Sequence, residues 1–190
     1  MDNPGSTIGM VNMGQTDLRL LFDAPLREHA TLSVDALKAT LLHTPDAEAL
    51  RDALDENSTA VAEAIEAGYP GTHDDFLELW RAHTGYYKQY ADATLQADES
   101  TKEAAKDKLD NFAEETASLL ADASPILDTD DIQEALSTHA DCITTIIDDL
   151  ADEEFDDAFA ALHEAYEHMG TVADLLSRHV SAKQVGGVRA

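Results

Sequence analysis

A single cysteine, Cys142, stands in the 190 residues, so no disulfide can close within the chain. It lies on an apolar helical face and reads as a core thiol rather than a nucleophile. Apolar runs are short as well. Nothing approaches the roughly 20 uninterrupted apolar residues of a membrane span, and no membrane insertion is expected. The opening, Met1-Asp2-Asn3-Pro4-Gly5, lacks the basic-then-apolar pattern of a secretory leader. The expected compartment is therefore the cytoplasm for the chain as written, or extracytoplasmic if a leader has been removed.

Basic residues are scarce: 12 Lys and Arg face 39 Asp and Glu, a formal net charge of −27. Phosphates and anionic lipid would be repelled, so nucleic acid is not an expected partner. Such charge can mark disorder when apolar residues are few. Here they make up 44% of the chain and recur at helical spacing, so the acids are the wet side of folded helices. An Asp-rich, Lys-poor surface resembles that of proteins from salt-accumulating halophiles. In molar salt a Debye length of about 3 Å screens the carboxylates from one another.

Helix breakers are few and well spaced. Thr44-Pro45, Gly68-Tyr69-Pro70-Gly71, Asp98-Glu99-Ser100, Ser124-Pro125 and Asp152-Glu153-Glu154 divide the chain into six helical lengths. Helices are expected over about 16–43, 46–67, 72–97 and 101–123, then from a cap at Asp128 or Thr129, and finally to about His179. No strand is needed. Residues 1–15 and 181–190 read as loose tails around one six-helix domain, 16–180. The predicted fold is all-α, a bundle of three tandem antiparallel hairpins, 16–68, 72–123 and 128–179.

The hairpins carry an internal repeat of about 55 residues, visible on the odd-numbered helices. Aligned on His29, His83 and His139, they place Phe22, Phe76 and Ile132 seven positions earlier, and Leu26, Trp80 and Leu136 three earlier. Steps of three and four put these residues on one face, so each histidine belongs to its helix's buried side. The even helices align less cleanly. Asn57 falls opposite His168, with Asn111 at a comparable position, though Leu109 and Phe112 fit better after a one-residue shift.

Motifs for chemistry are mostly missing. No Glu stands three residues before any histidine, against a ferritin-like site. His163 and His168 are five apart, not the four of a zinc-protease helix. No phosphate-binding glycine loop, calcium loop or Gly-x-Ser-x-Gly elbow occurs. Adjacent acids such as Asp148-Asp149 point apart on a helix and form a solvated face. Nothing requires an enzyme. His43, His73, His163 and His179 read as solvent-facing.

The remaining candidates are His29, His83, His139 and His168. If the odd helices share an axis, these imidazoles could converge, and three or four neutral imidazoles suit zinc, copper or nickel. Glu28, Glu164 and Glu167 would be the nearest compensating carboxylates. The alternative is that each histidine is buried separately and bonded to a carbonyl, to Asn57 or Asn111, or to a carboxylate. Around His83, Trp80, Tyr86, Tyr87 and Tyr90 read as the bulky centre of the core. Gly85, costing about 1 kcal/mol inside a helix, points to close backbone approach.

At Leu79-Trp80-Arg81-Ala82-His83 with Tyr86, Tyr87 and Tyr90, and again at Glu164-Ala165-Tyr166-Glu167-His168-Met169, the chain resembles a family of uncharacterised bacterial and archaeal helical-hairpin proteins, mostly extracytoplasmic. The resemblance spans roughly 20–180 and implies histidines near 29, 83, 139 and 168, but no activity. The reading that follows is a non-enzymatic helical binding protein from a high-salt organism, taking a metal or small ligand through buried histidines. Two alternatives stand beside it: a structural or interaction domain whose histidines only satisfy the core, and a redox metalloprotein.

Overall fold

The computed structural model describes residues 14–124 and 127–187, the side chains of 183–187 excepted, so the expectations for residues 1–13, Pro125 and 188–190 lie outside the described residues. Six helices fill almost all of them: α1 Gln15–Leu41, α2 Ala47–Gly68, α3 His73–Gln96, α4 Glu99–Ala123, α5 Thr129–Ala151 and α6 Phe155–Gly187. No strand occurs among the described residues. No helix among them is long and apolar enough to cross a membrane.

Two boundaries differ from expectation. Helix α4 begins at Glu99 because Asp98, not a later residue, caps it, its carboxylate accepting from the Thr101 amide. Helix α6 runs on to Gly187, so residues 181–187 are helix and not loose tail. Ser181, Ala182, Lys183 and Gln184 offer the helix no breaker, and Gly186-Gly187 comes only at its end.

The helices pack as the short connections require. Helix α1 lies against α2, α3 against α4 and α5 against α6, while α6 also closes onto α1. The odd helices meet one another in the middle, α3 touching both α1 and α5, and α1 touching α5. Their apolar stripes therefore face a common centre.

Each hairpin turn is built alike. His43 (φ 53°), Ala97 (φ 53°) and Glu153 (φ 61°) take the left-handed conformation just past α1, α3 and α5. In each turn the next amide, Thr44, Asp98 or Glu154, donates back to the carbonyl of Ala39, Ala93 or Asp149. This is the six-to-one bond of a Schellman ending. The three left-handed residues stand at one offset, 14 residues past His29, His83 and His139. Such a turn ordinarily takes glycine, so residue type alone conceals the pattern.

The α2–α3 connection works differently. The Glu66 carboxylate on α2 accepts from the amides of Gly71, Thr72 and His73, covering the first exposed N–H groups of α3. Those amide bonds hold its pKa below the usual carboxylate range. Gly71 supplies the positive φ, 91°, that the turn demands.

Close backbone approach occurs at Gly68 and not at Gly85. A Cβ on Gly68 would lie 2.7 Å from Cζ of Phe22 and 3.0 Å from Cγ2 of Val180, whereas one on Gly85 would meet nothing within 4 Å. The expectation for Gly85 fails because a helical glycine has the same sequence signature whether it faces a neighbour or open space.

Candidate functional site

The core is two apolar clusters separated by a polar level. One cluster holds Leu26, Ala30, Trp80, Phe112, Leu136 and Met169; the other holds Val34, Tyr87, Leu109, Ala140, Ile143 and Ala165. On α1, α3 and α5 the changeover falls at His29, His83 and His139, which are 0%, 0% and 2% exposed. Buried Ser33 and Asn57 lie beside this level. The histidines occupy it because each replaces an apolar residue in a stripe that already faces inward.

Three of the four candidate histidines come together. The Nε2 atoms of His29 and His83 are 3.2 Å apart, and the Ser33 hydroxyl lies 3.2 Å from the same His29 nitrogen. The ring centroids of His29 and His139 are 6.2 Å apart. His168 does not join them. Its Nε2 donates to the carbonyl of Ala135 at 2.7 Å, the separate satisfaction that the alternative reading expects.

A neutral imidazole has one donor and one acceptor nitrogen, so His29 and His83 can bond only if one Nε2 carries a proton and the other does not. The opposite nitrogens, His29 Nδ1 and His83 Nδ1, have no partner. Neither ring nitrogen of His139 has one. Asn57 stands next to His29 with its amide already oriented: Nδ2 donates to the carbonyl of Pro25 and to Glu28, each at 3.0 Å, leaving Oδ1 unpartnered. Asn57 thus ties Glu28 to the α1 backbone beside His29.

Aromatic rings wall the level. Phe112 stacks on His83 at 4.5 Å and 16°, while Trp80 meets the same ring edge-on at 4.5 Å and lies 4.8 Å from His29. Phe112 takes the place near which Asn111 was aligned; Asn111 itself is exposed. The cause is a one-residue offset of α4, which turns Leu109 and Phe112 inward.

All three core imidazoles are held neutral. Burial pushes His29 down to about 4, with Asn57 working slightly the other way. His83 and His139 are driven well below the ordinary range, by burial first. His29 and His139 add to this at His83, and His29 and His168 add to it at His139, since like charges would crowd the same space. The proposed carboxylates are engaged elsewhere or outside: Glu28 accepts from Asn57, Glu167 from Arg27, and Glu164 is exposed.

As arranged, no three His, Cys, Asp or Glu side chains among the described residues form a set that could hold a metal ion. Of the outer histidines, His43 and His163 are exposed, but His73 and His179 are half-buried. His73 Nδ1 bonds to Asp74, and His179 Nδ1 donates to the Leu175 carbonyl, both at 2.8 Å. Cys142 is half-buried beside the second cluster, and burial raises its thiol pKa. Sequence reasoning missed Ser33, whose sole signal was its place four residues after His29 on the same face. Comparison with known proteins finds no matching family model, no matching curated protein and no matching solved structure.

Proposed function

We propose that this chain is a non-enzymatic helical binding protein whose ligand is a transition-metal ion of the kind imidazole prefers, zinc, copper or nickel. His29 and His83 are its first two donors and His139 the third. The observation that carries the reading is the facing pair. Two imidazole nitrogens bound to one tetrahedral ion at 2.0–2.1 Å lie about 3.3 Å apart, close to the 3.2 Å found between His29 and His83.

Two further features support it. His139 has both ring nitrogens unbonded in a dry setting, where an orphaned donor or acceptor costs about 1–3 kcal/mol, and rotation of its ring toward the pair would supply a third donor. Asn57 Oδ1 is positioned to accept from His29 Nδ1–H, the outer bond that orients a metal-binding histidine. Neutral rings are also the form that binds a metal, so loading is favoured at neutral pH and release by acid. Three hairpins of one repeated design, with turns in register with the histidines, account for three equivalent donors.

A purely structural role is favoured by one observation, the His168 bond to Ala135, which takes the fourth candidate out of the set. The chain's one tryptophan separates the two readings, since Trp80 lies within 4.8 Å of both paired rings. Titration of chelator-treated, untagged protein with Cu(II) or Ni(II) should quench Trp80 with one-to-one stoichiometry, and His83→Gln should abolish the quenching. Binding that leaves Trp80 unquenched, or that survives His83→Gln, belongs to surface histidines and would refute the buried site.

A further inference from the structure

Carboxylates outnumber bases 39 to 12 in this chain, so a cation without an acid beside it is against expectation. Arg19, Arg27, Arg81, Lys88, Lys102 and Lys106 all pair with carboxylates. Lys38 lies over Phe159, Lys108 bonds to Gln89, and Arg178 to the Asp174 carbonyl. Among the Lys and Arg whose side chains are described, a set that leaves out Lys183, Arg51 is the one with no hydrogen bond, ion pair or ring partner. Its neighbour one turn on, Asp55, is taken by both guanidinium arms of Arg81, at 2.6 and 2.9 Å.

Arg51 lines a cleft of about 240 Å³ between α1, α2 and α3. That is room for a small organic molecule in a cleft partly open to solvent. Most of the cleft's exposed wall is apolar, with Leu37, Leu54 and Tyr87 contributing. The Tyr87 hydroxyl is buried without a partner. Gly85 lines the same cleft, and a Cβ there would meet nothing within 4 Å. A mid-helix glycine costs about 1 kcal/mol relative to alanine, and with no close packing to explain it, the room it leaves is its effect.

We propose that this cleft binds a short aliphatic monocarboxylate of about the size of hexanoate, its carboxylate on Arg51 and its tail among Leu37, Leu54 and Tyr87. The guanidinium offers the paired donors that a carboxylate fits, and the acid that lines the cleft beside it, Asp55, is engaged by Arg81. The apolar wall takes the tail. The cleft shares Ser33 and Tyr87 with the histidine level, but the carboxylate site on Arg51 needs no ion.

The test is a titration of ¹⁵N-labelled, chelator-treated protein with butanoate, pentanoate, hexanoate, 1-hexanol and hexylammonium at one salt concentration at which it is folded. Hexanoate should shift the Gly85 and Ser58 amides saturably, and each methylene from butanoate to hexanoate should tighten binding about fourfold. 1-Hexanol should bind about tenfold more weakly than hexanoate, and Arg51→Gln should reduce hexanoate to that level. Gly85→Leu, a change that favours the helix, should fill the cleft and remove binding while far-ultraviolet circular dichroism is unchanged. The proposal is overturned by any of four results: no saturable shift with hexanoate, 1-hexanol binding as tightly, hexylammonium binding better through Asp55, or Arg51→Gln without effect. Because all titrations use metal-free protein, their outcome is independent of the copper and nickel experiment.

Discussion

Acidification from pH 7 to pH 5 should destabilise this protein steeply, through the histidine level of its core. The folded pKa of His29, pushed down to about 4, lies below the roughly 6.5 of a histidine in the unfolded chain. Between those values the unfolded chain binds a proton that the folded one refuses. Stability is therefore fully present above pH 6.5 and lost as pH falls toward 4. At pH 5 the loss from His29 alone is about 2 kcal/mol, and His83 and His139, shifted the same way by burial, each add at most about 2 kcal/mol. A total of up to about 6 kcal/mol is comparable to the whole stability of an ordinary domain, about 5–15 kcal/mol. The assay is urea unfolding at pH 7, 6 and 5, followed by Trp80 fluorescence at fixed ionic strength with chelator present. His139→Leu should reduce the pH slope by about a third while costing little at pH 7, because it removes two unbonded buried nitrogens. A loss below about 1 kcal/mol by pH 5, or an unchanged slope in that variant, would refute the reasoning.

Two other outcomes follow from the surface and the turns. With a net charge of −27, the thermal midpoint should rise by about 5 °C or more between dilute buffer and molar salt, and a midpoint indifferent to salt would remove the halophile argument. Ala97→Gly should stabilise the protein by about 0.5–1 kcal/mol in urea, since glycine occupies the left-handed turn position at φ 53° without steric cost; a loss of stability would mean that the alanine methyl packs.

What the sequence made legible was whatever helical periodicity controls. The stripes at steps of three and four put His29, His83 and His139 on inward faces, and all three are buried. How far they approach one another was not legible, because that depends on the axial offset of α1, α3 and α5 and on side-chain rotation, neither of which periodicity encodes. On α4 the sequence offered two registers, and the structure takes the one-residue shift that turns Leu109 and Phe112, not Asn111, inward. His168 shares an apolar flank with Val172 and Leu176, yet a carbonyl within reach on α5 claims it. Gly68, in a breaker run at the end of α2, is crowded by Phe22 and Val180, while mid-helix Gly85 meets nothing, a difference that only packing decides. Pro25 lies inside α1 without ending it, because tertiary packing outweighs the one backbone bond it removes.

The polar level also bears on why the histidines are there at all. Between two apolar clusters, leucine at His139 would fill similar space and leave no nitrogen unsatisfied, so the fold alone gives histidine no advantage there. His29 and His83 satisfy one bond between them and leave two nitrogens open. Histidine at three equivalent positions therefore costs stability relative to an apolar core, and repeats that cost in each hairpin. A role that uses neutral imidazole nitrogens at the centre of the bundle offsets it, whereas a role confined to packing does not. The distinction is measurable in one variant: if His139→Leu raises stability at pH 7 and also abolishes copper-dependent quenching of Trp80, the histidine serves the ion and not the fold.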